Sequence, residues 1–415
     1  MTRAQKSLRA CTAGVIISVF IGFVLLSFPV DKYRTGRVLD FSEFYAAGTM
    51  VRDGLGHRLY DLRLQAQYQW RDAAIHAFYL RPPFEALLFV PFSYLTYRAA
   101  YSVWVLISLV FLASSAILIE RQVHVSRALT QYTRGIPVDT GLILVLFLTF
   151  GPTMNCFLIG QDTMLLLLIY TLSFILLKNG NPFAAGCVLA LGLFKYHLVI
   201  PFVIVFLIRR QWVFLKGFTL VGAILVAVSV AIGGFGVFNS YPQVFFNSTY
   251  QEVIGGFQPQ YAANIRGFTY LICGAFLPGY LILIIVAALS GVMLWAAAKR
   301  WSDDALEYSF AAGVIASLAT GIHLFFYDLS LLLLPIAIIC AQLAREGKLL
   351  RNHALSVTLI ILFVPPFHRL LIVHAIYALM FIPAFTLFLI TLNLLSNHCT
   401  VQPDNPPGTP RVLAQ

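Results

Sequence analysis

Apolar runs of about 20 residues recur from one end of the chain to the other, each long enough to cross ~30 Å of hydrocarbon as a helix. Lipid offers no hydrogen-bond partner to an open sheet edge, so the pattern predicts an all-α polytopic membrane protein. The first run, CTAGVIISVFIGFVLLSFPV (11–30), follows Arg3, Lys6 and Arg9. It is too long for a signal-peptide core and lacks an A-x-A cleavage site, so it reads as a retained first span with a cytoplasmic N-terminus. Residues 31–81 then form a long extracytoplasmic loop. Residues 82–119 hold two apolar runs, yet the following loop carries Arg121, Arg127 and Arg134 and belongs inside. An odd number of crossings is therefore expected there, and the short, proline-bounded PPFEALLFVPFSYL lies in the interface or dips partway.

Farther on, span 141–159 runs outward to GQD (160–162) and span 163–177 returns to Lys178. Residues 182–208 have basic groups at or beyond both ends (Lys178, Arg209, Arg210). They predict a helical hairpin with Lys195, Tyr196 and His197 near its tip. Span 212–233 leads to a Gly-, Pro- and aromatic-rich loop, 234–266. Residues 267–298 return to Lys299 and Arg300; 305–322 exits at HLFFYD; 329–343 returns; and 354–371 with 373–395 makes a last pair. The expectation is one transmembrane domain over residues 1–398 and a disordered, proline-rich cytoplasmic tail over 399–415. The domain is a bundle of about 10–13 transmembrane helices, judged by run length. No internal repeat is visible, which weakens a transporter reading.

Composition agrees. Of 415 residues 60% are hydrophobic and 11% charged, against roughly 25% charged in a soluble domain. The formal net charge of +11 sits in short loop groups that set topology and meet anionic lipid headgroups, so it is no nucleic-acid signal. The six cysteines are scattered singly, with neither metal spacing nor a disulfide framework. There is no phosphate-binding loop, HExxH, GxSxG or dinucleotide fingerprint, and no cofactor or metal is indicated.

Ionisable groups at membrane depth mark function by default. On this topology ten of the 17 carboxylates fall outside or near that boundary. So do seven polar clusters: DFSEFY, YLRPPFE, NCFLIGQD, KYH, AANIRG, GIHLFFYD and PPFHR. Each has a plain structural reading. Asp40 is placed to cap a helix and Glu43 to complete a capping box. Arg81 could snorkel to headgroups. His197, His323, Tyr327, Asp328 and Gln161 could be caps or interface anchors. Lys195, deep in an apolar run, needs an anion or an aqueous cavity.

Taken in order, these segments resemble glycosyltransferase family 87, membrane mannosyltransferase-like enzymes of the GT-C type. The residues that carry the resemblance are DFSEFYAAG (40–48) followed by YD at 60–61, then RPPFEALLFVPF (81–92), GQ at 160–161, Lys195 with Pro201 before a basic loop with Trp212, and a histidine with YDL at 327–329. Together they cover about residues 38–340. Phe44-Tyr45 stands where Tyr-Tyr is common, and Tyr196 follows Lys195 where proline is frequent. The resemblance implies a polyprenyl-phosphate sugar donor, with mannose the leading sugar, and a lipid or envelope-glycan acceptor. It implies work on the extracytoplasmic face of the inner membrane, with Asp40 as general base. Tyr45, Gln161, Lys195, His323, Tyr327 and Asp328 occupy matching positions.

The chemistry is coherent in its own terms. A carboxylate takes the acceptor's proton, a cation (Lys195, Arg81 or Arg266) holds the phosphate, and apolar spans line a groove for the prenyl chain. Glu43, Tyr45, Gln161, His197, His323, Tyr327 and Asp328 are candidate substrate contacts. Attack opposite the phosphate inverts the anomeric carbon, and one carboxylate suffices because phosphate is already a good leaving group. The competing class is a transporter or lipid flippase, which would spread ionisable groups to the midplane and to both faces.

Overall fold

The computed structural model describes residues 14, 40–69, 78–133, 138–246 and 258–401. The predicted first span, its cytoplasmic N-terminus and most of the polar tail lie outside these residues. The described residues are helical, without a strand. Among the described residues six helical segments are long and apolar enough to cross a membrane, or up to eight if each of two bent pairs counts as one span.

The chain opens with α1 (Phe41–Arg52) and α2 (Leu62–Gln69), followed by the seven-residue α3 (Pro83–Phe89), which is too short to cross. Helix α4 (Tyr97–Val123) has 27 residues and leads into α5 (Val125–Tyr132). The predicted straight span 141–159 is instead α6 (Thr140–Thr149) and α7 (Gly151–Ile159), bent by 69°. Pro152 lacks the N–H that a continuous helix would use, and a helix start is where that loss is tolerated. The same physics bends α17 (His353–Phe363) from α18 (Pro365–Val373) by 68° at Pro365-Pro366.

Between them lie α8 (Thr163–Lys178), α9 (Pro182–Ala190), α10 (Tyr196–Ile208), α11 (Trp212–Gly233) and α12 (Val237–Phe246). Next come α13 (Ile265–Cys273), α14 (Gly279–Lys299), α15 (Leu306–Thr320) and α16 (Leu333–Arg345). The last helix, α19 (Phe381–Val401), carries the chain past the boundary expected at 399.

Residues 182–208 form 27 continuous helical residues, a length that could cross. They turn back instead. Lys178, just before α9, pairs with Glu307 at 2.7 Å, and Arg209, just after α10, pairs with Asp303 at 3.1 Å and donates to the Trp301 carbonyl. Both ends of the segment therefore lie at the N-terminal end of α15. The middle, Leu191–Lys195, is a 3-10 turn, and Lys195 meets Asp328, which follows the opposite end of α15. Phe202 against Phe310 and Phe206 against Trp301 trace α10 back down α15. On the other limb, α9 lies so close to α11 that a Cβ on Gly186 would sit 2.1 Å from the Phe214 carbonyl oxygen. That is the small-residue contact by which membrane helices approach closely.

The core is one large apolar cluster centred on α8, α10, α15 and α16, with a second around α1. In the second, Phe44 stacks on Phe89 at 4.6 Å and Phe89 meets Trp104 at 4.9 Å, clamping α1 and α3 to α4.

Candidate active site

Helix α1 begins at Asp40, whose side chain makes no capping hydrogen bond. The carboxylate is free for other work: its Oδ2 accepts from Gln161 Nε2 at 2.8 Å. Gln161 is held there by Gly160, the left-handed end of α7 (φ 72°). A side chain at Gly160 would be strained and would meet Phe41 Cβ at 2.6 Å. Trp104 Nε1 donates to the Gly160 carbonyl at 3.0 Å and Tyr101 to that of Phe157 at 2.9 Å, so α4 fixes the GQD turn.

From Gln161 the polar chain continues. Arg81 donates Nη2 to Gln161 Oε1 and Nη1 to Asp162 Oδ2, both at 2.8 Å. Its guanidinium lies over the Phe44 ring at 5.1 Å and 3.9 Å from both Glu43 and Glu85. Asp162 Oδ1 faces Lys195 Nζ at 2.9 Å, an ion contact outside hydrogen-bond alignment. Lys195 donates to Asp328 Oδ1 and to Thr163 Oγ1, both at 2.6 Å, and lies 4.8 Å above the Tyr327 ring. Asp328 is itself fixed by the Phe325 N–H on Oδ2 at 3.0 Å. One ladder thus runs Asp40, Gln161, Arg81, Asp162, Lys195, Asp328.

The site gathers five carboxylates (Asp40, Glu43, Glu85, Asp162, Asp328) around two cations, and a medium of low dielectric cannot hold that imbalance fully ionised. Burial pushes the carboxyl of Asp40 above its ordinary value, only partly offset by Gln161 and Arg81. Burial likewise raises Glu43 and Glu85 well above the usual carboxylate range. Burial also works against ionised Asp162, but Arg81 and Lys195 outweigh it and hold that carboxyl below the usual range.

Of the residues singled out in the sequence, the structure brings together Asp40, Glu43, Arg81, Gln161, Lys195, Tyr327 and Asp328. His197 and His323 face each other beside them, ring centroids 6.1 Å apart. Arg266 lies on the first turn of α13, hydrogen-bonded to Tyr270 and within electrostatic reach of His323. Tyr45 is not in the ladder: its hydroxyl donates to the Leu95 carbonyl at 2.8 Å and its ring packs on Tyr97. The PPFHR cluster also stands apart, because His368 is satisfied by Tyr377 at 2.9 Å and the Leu362 carbonyl at 2.7 Å. Asn264 of AANIRG caps α13 and donates to the Gly321 carbonyl at 2.6 Å. Sequence reasoning passed over Asp162, Glu85 and Thr163 as individual members of the site. The first two stood in the GQD and YLRPPFE clusters, whereas nothing marked Thr163. Among the described residues, no group of three or more His, Cys, Asp or Glu is arranged to hold a metal, and the four described cysteines are free.

Residues 79–335, more than half of the chain, match the model of glycosyltransferase family 87. The chain belongs to that family. No curated protein and no solved structure matches it. This family 87 protein is therefore a membrane glycosyltransferase. The matched stretch holds Arg81, Gln161, Lys195, Arg266, His323, Tyr327 and Asp328. Asp40 and Glu43 precede it and join the candidate site through their contacts to Gln161 and Arg81.

Proposed function

We propose that this glycosyltransferase moves a sugar, mannose in the leading reading, from a polyprenyl-phosphate donor to a hydroxyl of a lipid or envelope glycan. The reaction takes place at the extracytoplasmic face of the inner membrane and inverts the anomeric configuration. Asp40 is the general base: it takes the acceptor's proton as the oxygen attacks the anomeric carbon, and the lipid phosphate leaves with the bonding pair. The observation that carries this reading is the Asp40 carboxylate itself. It is unspent on helix capping and is held by Gln161 at the head of the buried ladder. A raised carboxyl brings a base nearer the operating pH, where base catalysis is most effective.

Depth supports a lipid-linked donor. Helix α8 has 16 residues between Lys178 and the ladder, so the site stands about 24 Å from the basic face at 1.5 Å per residue. That is short of ~30 Å of hydrocarbon and within reach of a prenyl phosphate from the far leaflet. The test is mass spectrometry of membrane glycolipids and envelope glycans in cells with the gene, without it, and with Asp40→Asn. A product that disappears with the gene and is not restored by Asp40→Asn supports the proposal. An unchanged glycan profile on deletion, or full restoration by Asp40→Asn, overturns it.

A further inference from the structure

Neither buried cation of the ladder is spare. Lys195 meets two carboxylates within 3 Å, Asp328 at 2.6 Å and Asp162 at 2.9 Å, and Arg81 pairs with Asp162 at 2.8 Å and approaches Glu43 and Glu85. A phosphate arriving at either would have to displace a carboxylate whose own lone pairs would then be buried unmet, a costly exchange. Basic side chains also gather at a second place nearby. Gly321 joins three elements: a Cβ there would stand 2.9 Å from the His197 carbonyl oxygen, and its own carbonyl accepts from Asn264 Nδ2 at 2.6 Å. The first turn of α10, the first turn of α13 and the loop 321–325 therefore converge. They carry His197, Arg266 and His323 respectively. The two imidazoles are 6.1 Å apart and perpendicular, and Arg266 is within electrostatic reach of His323. His197 Nε2 is buried and has no hydrogen-bond partner, a polar atom left to be met by a ligand.

The cluster also has an apolar neighbour. His323 packs on Phe325 at 4.4 Å, and Phe325 on Tyr327 at 5.6 Å. The Phe325 and Tyr327 rings line a mostly aromatic pocket of about 160 Å³ with Tyr261, Phe326, Ile372, Tyr377 and one amide, Asn155. Basic groups beside an aromatic, apolar pocket fit one chemical class, a phosphate monoester or diester on a hydrocarbon chain.

We infer that His197, His323 and Arg266 form the subsite for the phosphate of the lipid-linked donor, and that Lys195 and Arg81 are positioning residues that hold the carboxylates. The inference rests on the donor reading above and names its phosphate ligands. Arg266 supplies the charge, the imidazoles supply N–H donors, and the first isoprene unit enters the aromatic pocket.

The test uses the full chain in nanodiscs of neutral lipid and measures binding of polyprenyl phosphate against polyprenol, the same chain without phosphate. The expected result is a preference for the phosphate that falls about tenfold or more in Arg266→Gln, His323→Ala and His197→Leu, the loss typical of a hydrogen bond to a charged group. Arg266→Lys should recover part of it. The neutral pair Lys195→Met with Asp328→Asn should retain it. Should that pair fail to fold, the exposed His323 and the Arg266 series still decide. Retention of the full preference in all three single variants overturns the inference and leaves the donor reading standing. Wild-type protein that does not distinguish polyprenyl phosphate from polyprenol overturns the donor reading and this inference with it. Displacement of polyprenyl phosphate by an equal amount of phosphatidylglycerol assigns the cluster to bulk headgroups and also overturns it.

Discussion

In the proposed base, Asp40, the reaction and the electrostatics of the chain meet. Asp40→Asn keeps the size of the side chain and a group able to bond Gln161. It should lower sugar transfer by about 10²–10⁴-fold, the range of positioned base catalysis, with an unchanged melting temperature. Wild-type activity in that variant would remove Asp40 as base. Burial raises the Asp40 carboxyl, and a base works only when deprotonated, so activity is present above the raised value and lost as pH falls through it. The acid limb of kcat/KM should therefore lie above the ordinary aspartate value of about 3.9, and a limb at or below that value would contradict the assignment. Asp40 was visible in the sequence as a polar residue beside an apolar segment, but capping and catalysis looked alike there. The structure leaves the carboxylate unspent on capping and bonded to Gln161, 121 positions away, a contact that no local pattern reveals.

Among the elements, the hairpin of α9 and α10 is the one that brings a buried cation to the candidate site. It lifts Lys195 from the basic face to the ladder. Lys195→Ala leaves Asp162 and Asp328 buried with one cation fewer, and loss of one partner of a buried pair costs about 3–5 kcal/mol. A large fall in melting temperature is expected, and a variant as stable as the parent would show that the ion contacts contribute nothing. Gly186→Val should also destabilise, because its side chain would enter the space held by the Phe214 carbonyl; normal expression and thermal stability would refute that close approach. The basic residues at both ends of the hairpin were legible in the sequence by the positive-inside rule. So was a tip near Lys195; that Asp162 and Asp328 meet Lys195 there was not, because both partners are far away in sequence.

For the molecule as a whole, the hairpin makes a statement about sidedness. With the native cysteines replaced, Asn179→Cys and Gln211→Cys should react with a membrane-impermeant thiol reagent from one and the same side, because Lys178 and Arg209 both pair at the start of α15. Labelling from opposite sides would mean that the segment crosses. The bundle explains why clusters far apart in sequence form one site. α8 and α15 have 16 and 15 residues, and the first hairpin limb reaches Lys195 through nine α-helical and five 3-10 residues. Polar groups at their far ends therefore stop at similar depth.

The sequence by itself determined that the chain is helical and membrane-embedded, and it drew attention to the segments that hold the site. Hydrocarbon enforces both through run length and the scarcity of charge, which are local properties of the chain. Tertiary structure alone decided that Tyr45 and His368 are packing and capping residues, that Asp162 stands between Arg81 and Lys195, and that two histidines and Arg266 converge at Gly321. Those outcomes depend on which helix ends reach the same depth and face one another. Distances across the bundle settle that, and spacing along the chain does not encode it.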